Sequence, residues 1–152
     1  MEEFNSIGEI LDYAINEEQK ASELYADLAK RSINKEMSEV FTQFSLEELG
    51  HKKKLKGIKS NQKIVFSEEM VPDLKIGDYI VEVDSSRDDL KYQDALIIAM
   101  KAEKAAFRMY MDLSTKTENP EAKQIFTLLA QEEAKHKLRF EIEYDEYILR
   151  EN

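Results

Sequence analysis

The chain's 152 residues, 42% hydrophobic and 36% charged with four Gly and two Pro, suit a single domain of long amphipathic helices better than a turn-rich β fold. A formal net charge of −10 would repel a phosphate backbone and excludes nucleic acid as an expected partner, while the lack of cysteine excludes disulfides, thiolate nucleophiles and iron–sulfur ligation. No apolar run approaches the roughly 18 residues that cross a bilayer, and Met1 to Asn5 lacks the start of a secretory signal, so a soluble cytoplasmic protein with no membrane partner is expected.

Ser6 and Glu9 form a capping box for a first helix, on which Leu11, Ala14, Glu18, Ala21, Tyr25 and Leu28 recur at steps of three and four. Residues so spaced share one helical face. Asn34 is a cap for a second helix that carries Phe41, Phe44, Glu48, His51 and Leu55. Periodicity predicts a third helix from about Tyr92 to Lys116, with Leu96, Ala99, Glu103, Ala106, Tyr110 and Leu113 on its face. Asn119 followed by Pro120, a cap and a first-turn proline, opens a fourth helix that runs through Phe126, Leu129, Glu133, His136 and Phe140 towards Tyr147.

The two halves superimpose. A shift of 85 positions carries Glu18 to Glu103, Tyr25 to Tyr110, Asn34 to Asn119, Phe41 to Phe126, Glu48 to Glu133 and His51 to His136. The chain therefore reads as two helical hairpins of one design, joined by a crossover over about 60–89. That connector, with Val71, Pro72, Gly77 and the apolar stretch from Tyr79 to Val83, predicts a packed, partly extended crossing along a bundle. Such a link is needed when the second and third helices run parallel.

Glu48 with His51, and Glu133 with His136, are both Glu-x-x-His pairs, and they use the only two histidines of the chain. Three residues apart on a helix is about 4.5 Å along the axis and nearly the same face, so carboxylate and imidazole can reach one metal ion or two neighbours. The bland alternative is solvated glutamates beside core histidines. It predicts polar neighbours one turn away, whereas Phe44, Leu129, Leu55 and Phe140 stand there. Glu18 and Glu103 likewise interrupt apolar ladders. Four carboxylates on apolar faces are costly to bury unless cations compensate them, and two divalent ions supply the charge. The expected metal ligands are Glu18, Glu48, His51, Glu103, Glu133 and His136. Met100, Met109 and Met111 read as core filler.

One Glu from each of two helices plus Glu-x-x-His from the other two is similar to the ferritin-like di-iron carboxylate proteins. More narrowly, the run Ala14 to Glu18 with Tyr25, and the run Gln131 to Lys137, resemble the rubrerythrin family. The resemblance implies an all-α, ferritin-like four-helix bundle over residues 1–152. It also implies two iron ions, with manganese or zinc also compatible with the ligands. The implied activity is reduction of hydrogen peroxide or oxygen, with the iron oxidation and storage of ferritins, or passive metal binding, as competing functions. Members of the family carry a cysteine-rich rubredoxin domain; this chain has no cysteine, so a separate electron-donor protein is expected, and a homodimer as the assembly. The family's extra carboxylate one turn beyond the third-helix Glu is here Ala106. Ala21 and Ala106 are expected to leave room for a small oxidant. Tyr25 and Tyr110 are read either as hydrogen-bond donors to the metal-binding carboxylates or as plain core.

Overall fold

Four helices make up the computed structural model, which describes residues 7–32, 35–60 and 92–151. They are α1 (Ile7–Arg31), α2 (Lys35–Ser60), α3 (Tyr92–Lys116) and α4 (Pro120–Glu151), and no strand occurs among the described residues. The predicted bounds of α3 coincide with the observed ones. At the head of α4, Asn119 Oδ1 accepts the amide of Ala122 at 3.0 Å, which satisfies one of the donors a helix start leaves unpaired. The caps read at Ser6 and Asn34 lie outside the described residues. So does the crossover predicted over 60–89, apart from Ser60, which closes α2.

Side-chain pairs fix the directions of the helices. Gln19 meets Lys52 and Asp12 meets Lys59, so α1 and α2 are antiparallel. Tyr92 bonds Glu143 near one end of the second hairpin and Tyr110 packs on Phe126 towards the other, so α3 and α4 are antiparallel too. Tyr25 reaches Glu103 while Tyr110 reaches Glu18, which sets α1 antiparallel to α3. It follows that α2 and α3 run parallel, as the need for a long crossover implies. Packing within each hairpin is extensive, and the α1–α3 and α2–α4 contacts between hairpins are sparse.

The core falls into two lobes, one on either side of the mid-bundle carboxylates. One is aliphatic, with Ile10, Leu11, Leu55, Ile58, Leu113 and Leu129 around Tyr110 and Phe126. The other is aromatic: Phe140 stands 5.4 Å from both Tyr25 and Phe41, ring centre to ring centre, and Tyr92 meets Phe41 edge-on. Fully burying each of these large side chains contributes about 1.5–3 kcal/mol, so the lobes hold the bundle together. Met109 is buried and Met100 packs on the aromatic lobe. Met111 differs from the expectation of core filler: it is 38% exposed, because its position is turned past the edge of the buried face that Tyr110 and Leu113 define. No helix among the described residues is long and apolar enough to cross a membrane.

Candidate metal centre

Between the lobes, one turn of each helix turns a charged group inward. Glu18, Glu48, Glu103 and Glu133 are 1–2% exposed, and His51 and His136 are nearly as buried. All six residues expected from the sequence meet here. They form two quartets, Glu18, Glu48, His51 and Glu133, and Glu48, Glu103, Glu133 and His136. Within each quartet one donor atom per residue lies within 4.8 Å of the others. Glu48 and Glu133 belong to both, so the quartets share an edge.

The repeat survives as local two-fold geometry. His51 Nδ1 lies 2.8 Å from Glu133 Oε1 and 3.4 Å from Glu18 Oε2. His136 Nδ1 correspondingly lies 2.9 Å from Glu48 Oε1 and 3.3 Å from Glu103 Oε1. Both imidazoles thus turn Nδ1 into the cluster and Nε2 away from it. His136 Nε2–H donates to Glu47 Oε2 at 2.6 Å, and His51 Nε2–H donates to Glu132. A carboxylate on the outer nitrogen holds the ring in the tautomer that leaves Nδ1 free to ligate. On the far side, the Tyr25 hydroxyl donates to Glu103 and the Tyr110 hydroxyl to Glu18, each across the bundle.

The side chains fit a pair of cations. Glu18 Oε2, Glu48 Oε1 and Glu103 Oε2 are buried without a hydrogen-bond partner; His136 Nδ1 stands near Glu48 Oε1 but not in hydrogen-bonding geometry. Orphaned buried carboxylate oxygens are costly, and all three belong to residues of the two quartets. Four carboxylates and two neutral imidazoles balance two divalent ions, and the mixture of oxygen and nitrogen suits iron, manganese or zinc.

Without such ions the cluster competes for protons. Burial pushes Glu48 well above the usual carboxylate range, and the charges of Glu133, Glu18 and Glu103 push it further. Glu133 is raised in the same way, by burial and then by Glu103 and Glu18. Burial carries Glu103 up to about 7 against the hydrogen bonds from Glu133 and Tyr25. Glu18 goes the other way: burial opposes its charge, but the polar contacts of Glu48 and His51 and the hydroxyl of Tyr110 hold it below the ordinary value. Burial also disfavours the charged form of His51, yet Glu133 and Glu18 raise it to about 11. The Tyr25 and Tyr110 hydroxyls are pushed well above 10.0 by burial and the carboxylates around them, and stay protonated donors.

Both readings of the tyrosines hold at once, since their rings pack in the lobes while their hydroxyls bond glutamates. Ala21 and Ala106 are half-buried and pack against the aromatic and aliphatic lobes respectively. Among the described residues, open space lies between α2 and α4. A cavity of about 440 Å³ there is lined by Phe44, Glu47, Gly50, His51, Lys54, Glu132, Lys135 and His136. Sequence reasoning missed Glu47 and Glu132. Their signal was present, because the doublets Glu47-Glu48 and Glu132-Glu133 obey the same 85-residue shift. Helical spacing pairs Glu47 with His51 of its own helix, however, and the structure pairs it with His136 of the other hairpin.

A family model described as Rubrerythrin matches residues 9–144, almost the whole bundle. The chain belongs to the rubrerythrin family. Its fold is similar to that of a Thermotoga maritima protein provisionally named a ferritin-like diiron-carboxylate protein. The two share 22% identity over 97% of this chain and 99% of that one, with a TM-score of 0.83. It is also similar to a hypothetical protein of Pyrococcus furiosus, at 26% identity, 92% and 89% coverage and a TM-score of 0.70. No protein of curated function matches the sequence.

Proposed function

We propose that this rubrerythrin-family chain is a di-iron oxidoreductase that reduces hydrogen peroxide or oxygen with electrons from a separate donor protein. The observation that carries the reading is the shared edge of the two quartets, since Glu48 and Glu133 would serve both ions. An iron pair bound there would supply the two electrons that reduction of one O–O bond takes. Glu18, Glu48, His51 and Glu133 would hold one ion, and Glu48, Glu103, Glu133 and His136 the other. Tyr25 and Tyr110 orient Glu103 and Glu18, Glu47 and Glu132 orient the imidazoles, and the two apolar lobes keep bulk water from the ends of the cluster. The name of the Thermotoga maritima neighbour supports the di-iron assignment. The lack of cysteine supports an external donor, and a homodimer is the assembly proposed.

Stopped-flow spectroscopy of the Fe(II)-loaded protein tests this. Peroxide should oxidise the bound iron faster than iron in buffer, and Glu103→Ala should remove the advantage. Equal rates for wild type, variant and free iron would leave a passive metal-binding bundle. Faster reaction with oxygen than with peroxide, iron accumulating far beyond two per chain and a cage-sized particle on size exclusion would establish storage instead.

A further inference from the structure

The internal repeat is broken at the wall of the α2–α4 cavity. Most residues around the cluster have a matching residue 85 positions away, but Gly50 stands where the repeat has Lys135, and Phe44 where it has Leu129. Gly50 sits mid-helix, where glycine costs roughly 1 kcal/mol relative to alanine, so its helix gains nothing from it. A Cβ built on Gly50 meets no atom within 4 Å, so no close neighbour demands a glycine either. What it does is leave open the α2 side of a cavity whose floor includes His51 and His136. On the other α2 flank, the Phe44 ring stacks on the His136 imidazole at 3.9 Å between ring centres.

Among the described residues, side-chain contacts occupy other approaches to the cluster. Tyr25 and Tyr110, both fully buried, cross the gap between α1 and α3. Ser22 and Ser45 bond each other at 2.9 Å where α1 meets α2. The two core lobes close the ends.

Resting on the di-metal reading, we propose that the α2–α4 cavity is the port through which divalent cations reach the centre, with Gly50 as the residue that sets its width. The mouth suits such a cargo, since Glu47 and Glu132 offer outward carboxylates beside the histidines they hold, and both are only partly buried. An arriving ion meets those oxygens before the buried ones. Lys54, whose Nζ lies 3.8 Å from Glu132 Oε1, and Lys135 stand at the rim. Their charges oppose a cation at the mouth, and the carboxylates of Glu47 and Glu132 offset them. Phe44 confines passage to the Gly50 and His51 side.

A port differs from a binding site in what it does to rates. A barrier added at a constriction multiplies association and dissociation rates by one factor and leaves Kd unchanged. The test uses Co(II) as the probe, read by its visible absorption on binding, with a chelator to follow release. Gly50→Phe should slow loading and release alike, by roughly tenfold for each 1.4 kcal/mol of added barrier. It should still hold two ions per chain at the wild-type Kd when refolded in the presence of Co(II). Gly50→Ala, which adds one methyl group to open space, should load at the wild-type rate. Gly50→Phe loading as fast as wild type overturns the port, as does a changed Kd, which would mean a distorted site. Slowing by Ala106→Leu in place of Gly50→Phe moves the route to the α1–α3 face and overturns it equally. Failure of the wild type itself to bind two Co(II) ions strikes the di-metal reading, a separate result.

Discussion

Glu48→Gln should make the metal-free protein more stable and the metal-loaded protein less so. The raised position of Glu48 means that the folded chain keeps a proton there that the unfolded chain sheds above its ordinary value of 4.5. In that range the native state binds more protons than the unfolded one, so stability falls as pH rises, until the folded group also ionises. Each pH unit in the window costs about 1.4 kcal/mol. At pH 7.5 the variant should therefore melt above wild type, the gap having widened by about 1.4 kcal/mol for each pH unit that lies inside the window. The amide that replaces the carboxylate binds no titrating proton, and it can donate to Glu18 as the protonated native side chain does. The gain should shrink to nothing as pH is lowered to about 4.5, where both states of the wild type are protonated. With Mn(II) in excess the order should invert, since a residue common to both quartets is lost. Calorimetric melts in chelator at pH 5 and 7.5, and with metal at pH 7.5, provide the comparison. A Glu48→Gln protein that melts below wild type in chelator at pH 7.5 would show that the carboxylates support the fold unaided, and the electrostatic account would be wrong.

Metal uptake should release protons, because His51 and the raised carboxylates of Glu48 and Glu133 must give theirs up to ligate. Titration calorimetry in buffers of different ionisation enthalpy should show heats that track the buffer, and apparent affinity should climb with pH through neutrality; buffer-independent heats would refute this. Tyr25→Phe and Tyr110→Phe should each cost about 1–3 kcal/mol in the metal-free protein by leaving a buried carboxylate oxygen without its donor. Chemical denaturation would check the pair, and a penalty for one variant only would contradict the two-fold geometry. Gly57→Ala should stabilise α2 by about 0.5–1 kcal/mol, since an added Cβ meets nothing within 4 Å, and a lower Tm would count against that reading. His51→Ala and His136→Ala should each weaken binding of both ions, and a metal titration leaving half the capacity at unchanged affinity would reject the shared carboxylates.

The six cluster residues were legible because each breaks an apolar ladder at a helical step and each recurs at the same offset. Periodicity places a residue on a face, and a carboxylate on a buried face must find a compensating group. The same logic could not choose partners across the bundle. Glu47 pairs with His136 and Glu132 with His51 only because α2 and α4 run antiparallel at a particular height, which no local spacing encodes. The cavity was illegible for a similar reason. Gly50 is a gap only against Glu132 and Lys135 on another helix, a relation that no spacing along α2 carries. Met111 was misread because steps of three and four do not define the edge of a buried stripe sharply.

Each quartet draws three of its residues from one hairpin and a single carboxylate from the other, and the backbones approach closely far more often within a hairpin than between the two. Bound ions would therefore lie in the seam of the molecule and act as rivets between two units that are each better packed internally than against one another. Chelation should loosen that seam before it melts either unit, so amide exchange would rise first at the residues facing across it. By the same token, two separate copies of one such hairpin, meeting head to tail, would assemble the same six ligands. The single chain is then equivalent to a symmetric pair made permanent by a tether, and a tethered pair, unlike two identical copies, can differ between its halves, as it does at Gly50 and Phe44.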